Sequence, residues 1–413
     1  MATIAFMMDI QEGHILPSLG LAVSLKRRGY KVVYISVPDN EQIVIQNGFE
    51  FYRLFEDLYP FGFNDVVKNM DQVVELNADK QHLSHISKII EGALDPFFAH
   101  YKPDLFIISA VLKLEILLIH YKYKIDPVIF TPCLPEEGVT LAQRCVSEIM
   151  KFPGKNIAEL VDFFSNCGVA LTSMEKLVEP LLTLSELIAC PQDLEIVKSK
   201  NKANVCYLAP FVRFQNSERQ REVWQKTASG KKIIYASFGT QLPAYGLIVV
   251  TFFSKLINVM KSSELQEFHL FLALGGAMDR KNLPENPSNV TVLDWAPQAD
   301  ILQNASLAII HGGLSTIKEC IYCAVPMLVI PLARDQPSNA GRIVHSNLGL
   351  SDKVDRISEC QLKNHIVSLT HDETIKKKIT EMSKIFQKKQ REEAGVEFVE
   401  KLVNKNNFNT ILN

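Results

Sequence analysis

The sequence lacks the features that would send it to several functional classes. It has no block of one charge: 44 Lys and Arg stand against 46 Asp and Glu, for a net charge of −2. That balance gives no electrostatic reason for a nucleic-acid partner. No apolar run is long enough to cross a bilayer cleanly, since the longest, LFIISAVLKLEILLI, is broken by Lys113 and Glu115. The opening MATIAFMMDIQ has no basic segment and reaches Asp9 early, so it reads as a core strand rather than a signal peptide. The 8 cysteines show no disulfide-like framework, which makes a reducing cytoplasm the expected home. The one Cys-x-x-Cys, Cys320 and Cys323, falls in the second half of a helix. A redox pair belongs near a helix N-terminus, so these two read as small apolar residues on a packed face. Nor is there a D-x-D pattern suited to a divalent ion. Small molecules are the expected partners.

What is present is a repeated alternation of buried strands and helices. ATIAFMM (2–8) reads as a strand, DIQEGHIL as a loop and PSLGLAVSLKRRG as a helix, with Pro17 in its first turn and Gly29 at its cap. KVVYISV follows as the next strand, so the unit is βαβ and the sheet parallel. DLFIISAV (104–111), PVIFTP (127–132) and ELIACP near 190 continue the series. Periodicity lapses over 207–231 and restarts with KIIYASFG, a helix over 246–261, FHLFLALGG, VTVLDWAP, a helix from Asp300 and SLAIIHGG. With 413 residues, two α/β domains in tandem are expected: 1–209, a linker over 210–230, 231–385, and a polar C-terminal helix over 386–413 packing back on the first domain. Two less regular segments, 59–100 and 133–189, carry Phe61, Phe63, Phe97, Phe98, Met150, Phe152, Phe163 and Phe164. Insertions on such a scaffold are where ligand loops usually lie, and together these aromatics suggest an apolar cleft.

The junction HGGLSTIKE, residues 311–319, follows the strand SLAII and opens a helix. A helix N-terminus offers unpaired N–H groups and a positive dipole end, a natural seat for phosphate. Glycines at the turn admit the phosphate to the backbone. Ser315 and Thr316 add hydroxyls, His311 adds an imidazole donor, and Glu319 can accept from ribose hydroxyls as an acidic residue does in dinucleotide sites. The junction has neither G-x-G-x-x-G spacing nor a Walker lysine, so neither a dinucleotide cofactor nor ATP hydrolysis is indicated.

Trp295-Ala296-Pro297-Gln298 lies upstream of that junction and Asp335-Gln336 downstream. The whole stretch, WAPQADILQNASLAIIHGGLSTIKECIYCAVPMLVIPLARDQ, closely resembles the donor-binding signature of family-1, UDP-glycosyltransferase-like enzymes. GHILPSLGLAVSLKRRGYKV and KIIYASFGT resemble the same family's opening pattern and the first strand of its C-terminal domain. DQPSNAGRIV looks like bacterial carotenoid and macrolide glycosyltransferases. The resemblance implies an α/β GT-B fold, two Rossmann-like domains whose parallel sheets face across a cleft. It implies that Trp295 stacks on the base, with Ala296 beside it, and that Gln298 hydrogen-bonds base or ribose. Glu319 would hold the ribose; His311, Gly313, Leu314, Ser315 and Thr316 would surround the diphosphate. Asp335 and Gln336 would bind sugar hydroxyls, and Gly239 and Thr240 would border the phosphates.

For the reaction, the resemblance makes His14, in G-H-x-x-P, the base that takes the acceptor proton. The family usually orients that histidine with an aspartate after K-P-D, and here that place is Ser109. Serine accepts the imidazole N–H without charge, so the base is expected to be slower or differently assisted, with Asp9, Glu12 and Glu115 as candidate substitutes. Ala324 stands where the family prefers glycine before V-P, a change expected to cost little. The expectation is a cytoplasmic, inverting, metal-independent enzyme without cofactor, moving glucose from UDP-glucose to a hydroxyl of a lipophilic small molecule. The alternatives are a TDP-deoxysugar donor, a lipid acceptor at a membrane (suggested by HYKYK, 120–124), and a catalytically silent nucleotide-sugar binder. A GT-B epimerase or phosphorylase is more remote.

Overall fold

The computed structural model describes residues 1–64, 74–135, 138–170, 172–196, 203–214, 224, 226–239, 246–276 and 278–411, without the side chains of 12, 74–80 and 406–411. The chain divides into two compact units. One comprises Met1–Ala189, Ser199–Leu208 and Glu393–Asn413; the other comprises Cys190–Lys198 and Ala209–Glu392.

The first unit holds seven strands: β1 (Thr3–Met7), β2 (Lys31–Ser36), β3 (Glu50–Arg53), β4 (Leu105–Ser109), β5 (Val128–Thr131), β6 (Glu186–Ile188) and β7 (Val205–Tyr207). They lie in the order β3-β2-β1-β4-β5-β6-β7, every pairing parallel. TIAFM and LFIIS are buried at every position, as strands covered on both faces must be. The second unit holds β8 (Lys232–Ser237), β9 (Phe268–Ala273), β10 (Val290–Leu293), β11 (Ala305–Ile310), β12 (Met327–Val329) and β13 (Gly349–Ser351), ordered β10-β9-β8-β11-β12-β13 and again all parallel. Each sheet reverses its direction of growth once, between β1 and β4 and between β8 and β11. At such a switch point neighbouring crossovers leave in opposite directions and open a crevice at the carboxyl ends of the strands.

Several local expectations need correcting. The first helix begins at Glu12, not Pro17, so His14 stands in a helical turn rather than a loop. The turn closes early because the Asp9 carboxylate accepts the Gln11 N–H at 3.0 Å and the Gln11 carbonyl accepts the His14 N–H at 2.9 Å. The segments 59–100 and 133–189 are largely helical, with helices Val74–Glu91, Asp95–Tyr101, Leu141–Ile149 and Gly154–Asn166. Their aromatics are mostly packing: Phe97, Phe163 and Phe164 are buried, while Phe61 and Met150 are exposed. Residues 190–196 go with the second unit because Glu195 meets the buried Arg342 guanidinium at 3.4 Å and Asp193 meets Lys389 at 3.1 Å. The chain returns to the first unit at Glu393 rather than at 386. There Arg27 and Arg28 hold the Glu393 carboxylate at 2.6 and 3.0 Å, and Arg28 reaches Glu400 at 2.8 Å in the helix Val396–Ile411.

Ala324 is strained, contrary to the expectation that glycine's replacement is cheap. The helix Leu314–Tyr322 ends in a Schellman turn: Val325 N–H donates to the Cys320 carbonyl at 2.9 Å and Ala324 N–H to the Ile321 carbonyl at 3.0 Å. That turn puts Ala324 at φ 57°, a left-handed conformation that costs a residue with a Cβ roughly 1–2 kcal/mol. Ala324→Gly is expected to raise unfolding stability by about 0.5–1 kcal/mol, after glycine's larger chain entropy is subtracted. Denaturant unfolding measures this as a higher midpoint at unchanged slope.

Candidate active site

Both switch points carry the residues with chemistry. In the first unit, β1 runs out into Asp9 and β4 ends on Ser109. The Asp9 carboxylate is buried, and His14 Nδ1 lies 2.8 and 2.9 Å from its two oxygens. Ser109 Oγ donates to Asp9 Oδ2 at 2.8 Å, and Ser109 Oγ in turn accepts the Val111 N–H at 3.4 Å. Of the three carboxylates considered for the role, Asp9 is the one beside His14. Glu115 bonds a different histidine, and the Glu12 side chain lies outside the described residues. Ser109 therefore touches the carboxylate and not the imidazole.

The arrangement fixes the tautomer. Carboxylate oxygens accept, so Nδ1 carries the proton and the Nε2 lone pair is left as the basic position. Nε2 has no hydrogen bond among the described residues, and the His14 side chain is 26% exposed against 5% for Asp9. The backbone under this pair is pinned as well. Asn40 Nδ2 donates to the Asp9 carbonyl at 3.1 Å and to Ser36 Oγ at 2.9 Å, and Ser36 Oγ donates to the Met8 carbonyl at 3.0 Å.

In the second unit, β11 runs into His311, Gly312 and Gly313, and the helix Leu314–Tyr322 begins one residue later. The glycines do more than admit a ligand. A Cβ on Gly313 would stand 2.7 Å from His311 Nε2, and one on Gly239 would stand 3.1 Å from His311 Cε1. The imidazole thus occupies the room that two missing side chains leave. Gly312 sits at φ +97°, with Val329 Cγ1 3.0 Å from where its Cβ would be. Burial pushes the His311 imidazole down to about 4, against a smaller opposing effect of the Ser237 backbone. It is a neutral ring whose Nδ1 is buried without a hydrogen-bond partner among the described residues.

Trp295 presents an indole that is 62% exposed, an unusual placement for so large an apolar group. Beside it Gln298 is committed to its neighbours. Tyr235 OH donates to Gln298 Oε1 at 3.1 Å, Gln298 Nε2 donates to Thr316 Oγ1 at 3.1 Å, and the same amide donates to Glu319. The side chain expected to read the base is here the strut that orients Glu319. Gln336 is likewise turned inward, its Oε1 accepting the Leu332 and Ala333 N–H groups at 2.8 and 3.0 Å. Asp335 Oδ2 accepts from Asn339 Nδ2 at 2.8 Å, and that amide also donates to the Gly312 carbonyl at 2.9 Å, tying the two loops together. Leu314 and Thr316 are buried, Ser315 is exposed and Ala296 is half-buried; Thr240 lies outside the described residues. Sequence reasoning passed over Tyr235 and Asn339. The spacing of Asn339 from Asp335, one helical turn, was the available signal for the latter.

Cys320 is buried and Cys323 partly so, and burial pushes both thiols up, Cys323 to about 12. That is the reverse of a redox pair.

Two parallel sheets, each with polar loops at its switch point, define a GT-B architecture, with a glycine-led helix start in the second unit and a histidine–carboxylate pair in the first. Residues 278–397 match the family described as UDP-glucoronosyl and UDP-glucosyl transferase. It is similar to the NDP-glycosyltransferase YjiC of Bacillus subtilis (strain 168), with 22% identity over 372 residues covering 90% of each chain. It is 32% identical over 143 residues to the oleandomycin glycosyltransferase of Streptomyces antibioticus, covering 34% of this chain and 31% of that one. Among solved structures, the glycotransferase of kitacinnamycin superposes with a TM-score of 0.76 at 22% identity, covering 98% of both chains.

Burial raises the Glu319 carboxyl from its ordinary 4.5 to about 7, with the Gln298 hydrogen bond opposing. The folded state therefore holds this proton more tightly than the unfolded chain does, and Glu319 withdraws stability as pH rises from about 4.5 through about 7. A ribose hydroxyl that donates to this group favours its ionised form. UDP affinity is therefore expected to rise by up to about tenfold between pH 6 and 8, following the ionised fraction. Glu319→Gln is expected to flatten that dependence in titration calorimetry and to stabilise the ligand-free protein at pH 8.

Proposed function

We propose that the protein transfers a sugar, glucose in the leading case, from a UDP-sugar to a hydroxyl of a lipophilic natural product, with inversion and without a metal or other cofactor. The observation that carries this reading is the His14–Asp9–Ser109 chain at the β1/β4 switch point. It gives the base an oriented proton and a buried counter-charge, which a purely binding homologue has no use for. The acceptor hydroxyl would give its proton to His14 Nε2 as its oxygen bonds the anomeric carbon. The bond from that carbon to the phosphate oxygen would break, its electron pair leaving with UDP. General-base help of this kind is worth roughly 10²–10⁴-fold in rate. Asp9 would steady the imidazolium that forms, and hydrogen bonds to charged groups contribute about 1.5–3 kcal/mol.

The leaving diphosphate would be met by the N–H groups and dipole of the helix at Leu314, by the Ser315 and Thr316 hydroxyls and by the neutral His311 ring, the kind of fixed dipoles that stabilise developing charge without reorganising. Trp295 is the platform for the base and Glu319 the acceptor for the ribose. The family description of residues 278–397 favours a uridine donor, and the oleandomycin and kitacinnamycin relatives favour a natural-product acceptor. A cytoplasmic setting agrees with eight free thiols. Among the described residues no helix is long and apolar enough to cross a membrane. The motive for a lipid surface weakens, because the HYKYK side chains are engaged within the fold. Tyr121 OH donates to the Leu177 carbonyl, Tyr123 OH to Asp95, and Lys124 to the Cys167 carbonyl.

Calorimetry in EDTA, titrating UDP and then TDP, tests the donor half. Binding of UDP that is lost in His311→Ala is the expected result, TDP preference would move the reading to deoxysugar donors, and binding of neither would defeat it. The acceptor half is tested by turnover. His14→Ala is expected to lose roughly a hundredfold or more, and Asp9→Ala roughly 10- to 100-fold. The exchange variant Asp9→Ser with Ser109→Asp is expected to recover most of the Asp9→Ala loss. A loss of only a few-fold in His14→Ala removes the base from the mechanism.

A further inference from the structure

A second cluster of titratable groups lies in the first unit, next to the base but not part of it. Glu115 is completely buried, in the helix Lys113–Tyr123 that follows the β4 end. His82 Nε2 donates to Glu115 Oε1 at 3.2 Å, and His85 Nε2 lies 3.7 Å from the same oxygen. On its other side His82 Nδ1 faces Glu148 Oε1 at 3.9 Å, while Glu148 Oε2 takes Lys113 Nζ at 2.5 Å. Among the described residues, Glu115 Oε2, His85 Nε2 and Glu148 Oε1 are all buried without a hydrogen-bond partner. Leaving such groups unpaired costs about 1–3 kcal/mol each, so three in one cluster call for an explanation.

The cluster is joined to the catalytic loop by two short routes. Asn64 Nδ2 donates to the Ile10 carbonyl at 3.0 Å, next to Asp9; Phe63 then stacks edge-on against Tyr59, whose hydroxyl is 3.4 Å from His85 Nδ1. From the other side, the Leu112 N–H donates to the Ser109 carbonyl in the turn that starts the Glu115 helix. His82 and Glu148 are its partly open members, with side chains 32% and 20% exposed.

Resting on the glycosyl-transfer reading above, we propose that His82 and Glu148 form an acceptor subsite for a second hydroxyl, one that is not glycosylated, on the same lipophilic molecule. The two atoms that face each other differ in kind. Burial pushes His82 down, but the Glu115 hydrogen bond and charge outweigh it and leave the ring above its ordinary range, while the same pairing holds Glu115 below its own. With Nε2 committed to the Glu115 carboxylate and Nδ1 facing a second carboxylate, the ring carries a proton on each nitrogen, so His82 Nδ1 is an N–H donor and Glu148 Oε1 an acceptor, too far apart at 3.9 Å for a direct hydrogen bond. A hydroxyl is the small group that accepts from one and donates to the other. An ammonium can only donate, and an alkyl end does neither. The groups around His82 agree with this assignment: Lys113 balances Glu148, Glu115 balances the imidazolium, and burial pushes His85 down to about 4, leaving it neutral. The phenyl ring of Phe152, 6.1 Å from His82, provides an apolar wall.

The test uses the full chain with UDP present and two series of para-alkylphenols of increasing chain length, one ending in methyl and the other in hydroxyl, with affinity read by calorimetry. Water-to-apolar transfer alone favours the methyl ends at every length. The expected result is that at one chain length the hydroxyl end binds about tenfold more tightly than its methyl counterpart. That gain is expected to vanish in Glu148→Met and to fade as pH rises through the His82 titration. His82→Phe alone would strand the buried Glu115 charge, so the second variant is His82→Phe with Glu115→Leu, which removes the pair together, and the gain is expected to be lost there too. Equal or weaker binding of hydroxyl ends at every length, or a gain that survives in both variants, overturns the subsite. With UDP-glucose in place of UDP, binding with the gain but no sugar transfer would sink the transferase reading and leave the subsite standing.

Discussion

The reversal of strand order in a parallel sheet is the constraint on which the rest depends. Where neighbouring crossovers part, the carboxyl ends of two strands are left uncovered, and backbone groups there find partners in side chains or ligands. Both units place their reactive loops at that point: Asp9 and Ser109 at the ends of adjacent β1 and β4, Gly239 and His311 at the ends of adjacent β8 and β11. Adjacent parallel strands hold their ends at one strand spacing, so a contact across the gap needs only a short side chain. Ser109 reaching Asp9 is such a contact, as is the His311 ring lying against Gly239.

Three carboxylates, Asp9 and Glu115 buried and Glu319 half-buried, show how differently one cost is met. Asp9 is surrounded by donors: an imidazole N–H, a hydroxyl and a backbone N–H. Glu115 shares its charge with His82. Glu319 has an amide and little else, and its carboxyl is raised to about 7. Burial without enough donors destabilises the ionised form, and a ligand bringing hydroxyls supplies what Glu319 lacks. Of these three, the carboxyl whose ionised form the fold disfavours is the one proposed to hold a ligand, as expected where local rules are broken for function.

Much of this was legible in the sequence because it is written in local pattern. Apolar runs gave the long strands, and Gly-Gly after β11 gave the helix start. The edge strands β3, β7 and β13 were not legible: they are as short as β5 and β6 but mostly half-exposed, so no buried run marks them. The start of the first helix was hidden because Pro17 suggests an N-terminus, whereas the cap is the Asp9 and Gln11 pairing. The partner of His14 was narrowed to three carboxylates and no further, since only the pairing of β1 with β4 decides which side chain arrives. The dual duty of the glycines also escaped, because a ring packed into the place of two absent Cβ atoms leaves no trace in spacing.

The path of the chain between the units has a consequence for biosynthesis. The helix Val396–Ile411, anchored through Glu393 and Glu400 to Arg27 and Arg28, belongs to the unit that begins at Met1. On a ribosome the first unit is therefore translated early but cannot be closed until residues 393–411 emerge, and closing so long a loop is slow compared with local contacts. The second unit is nearly continuous and can mature in the meantime. The nascent chain would carry its first unit open and its second formed, so a ribosome stalled before residue 393 would present the sheet holding His14 without this strap.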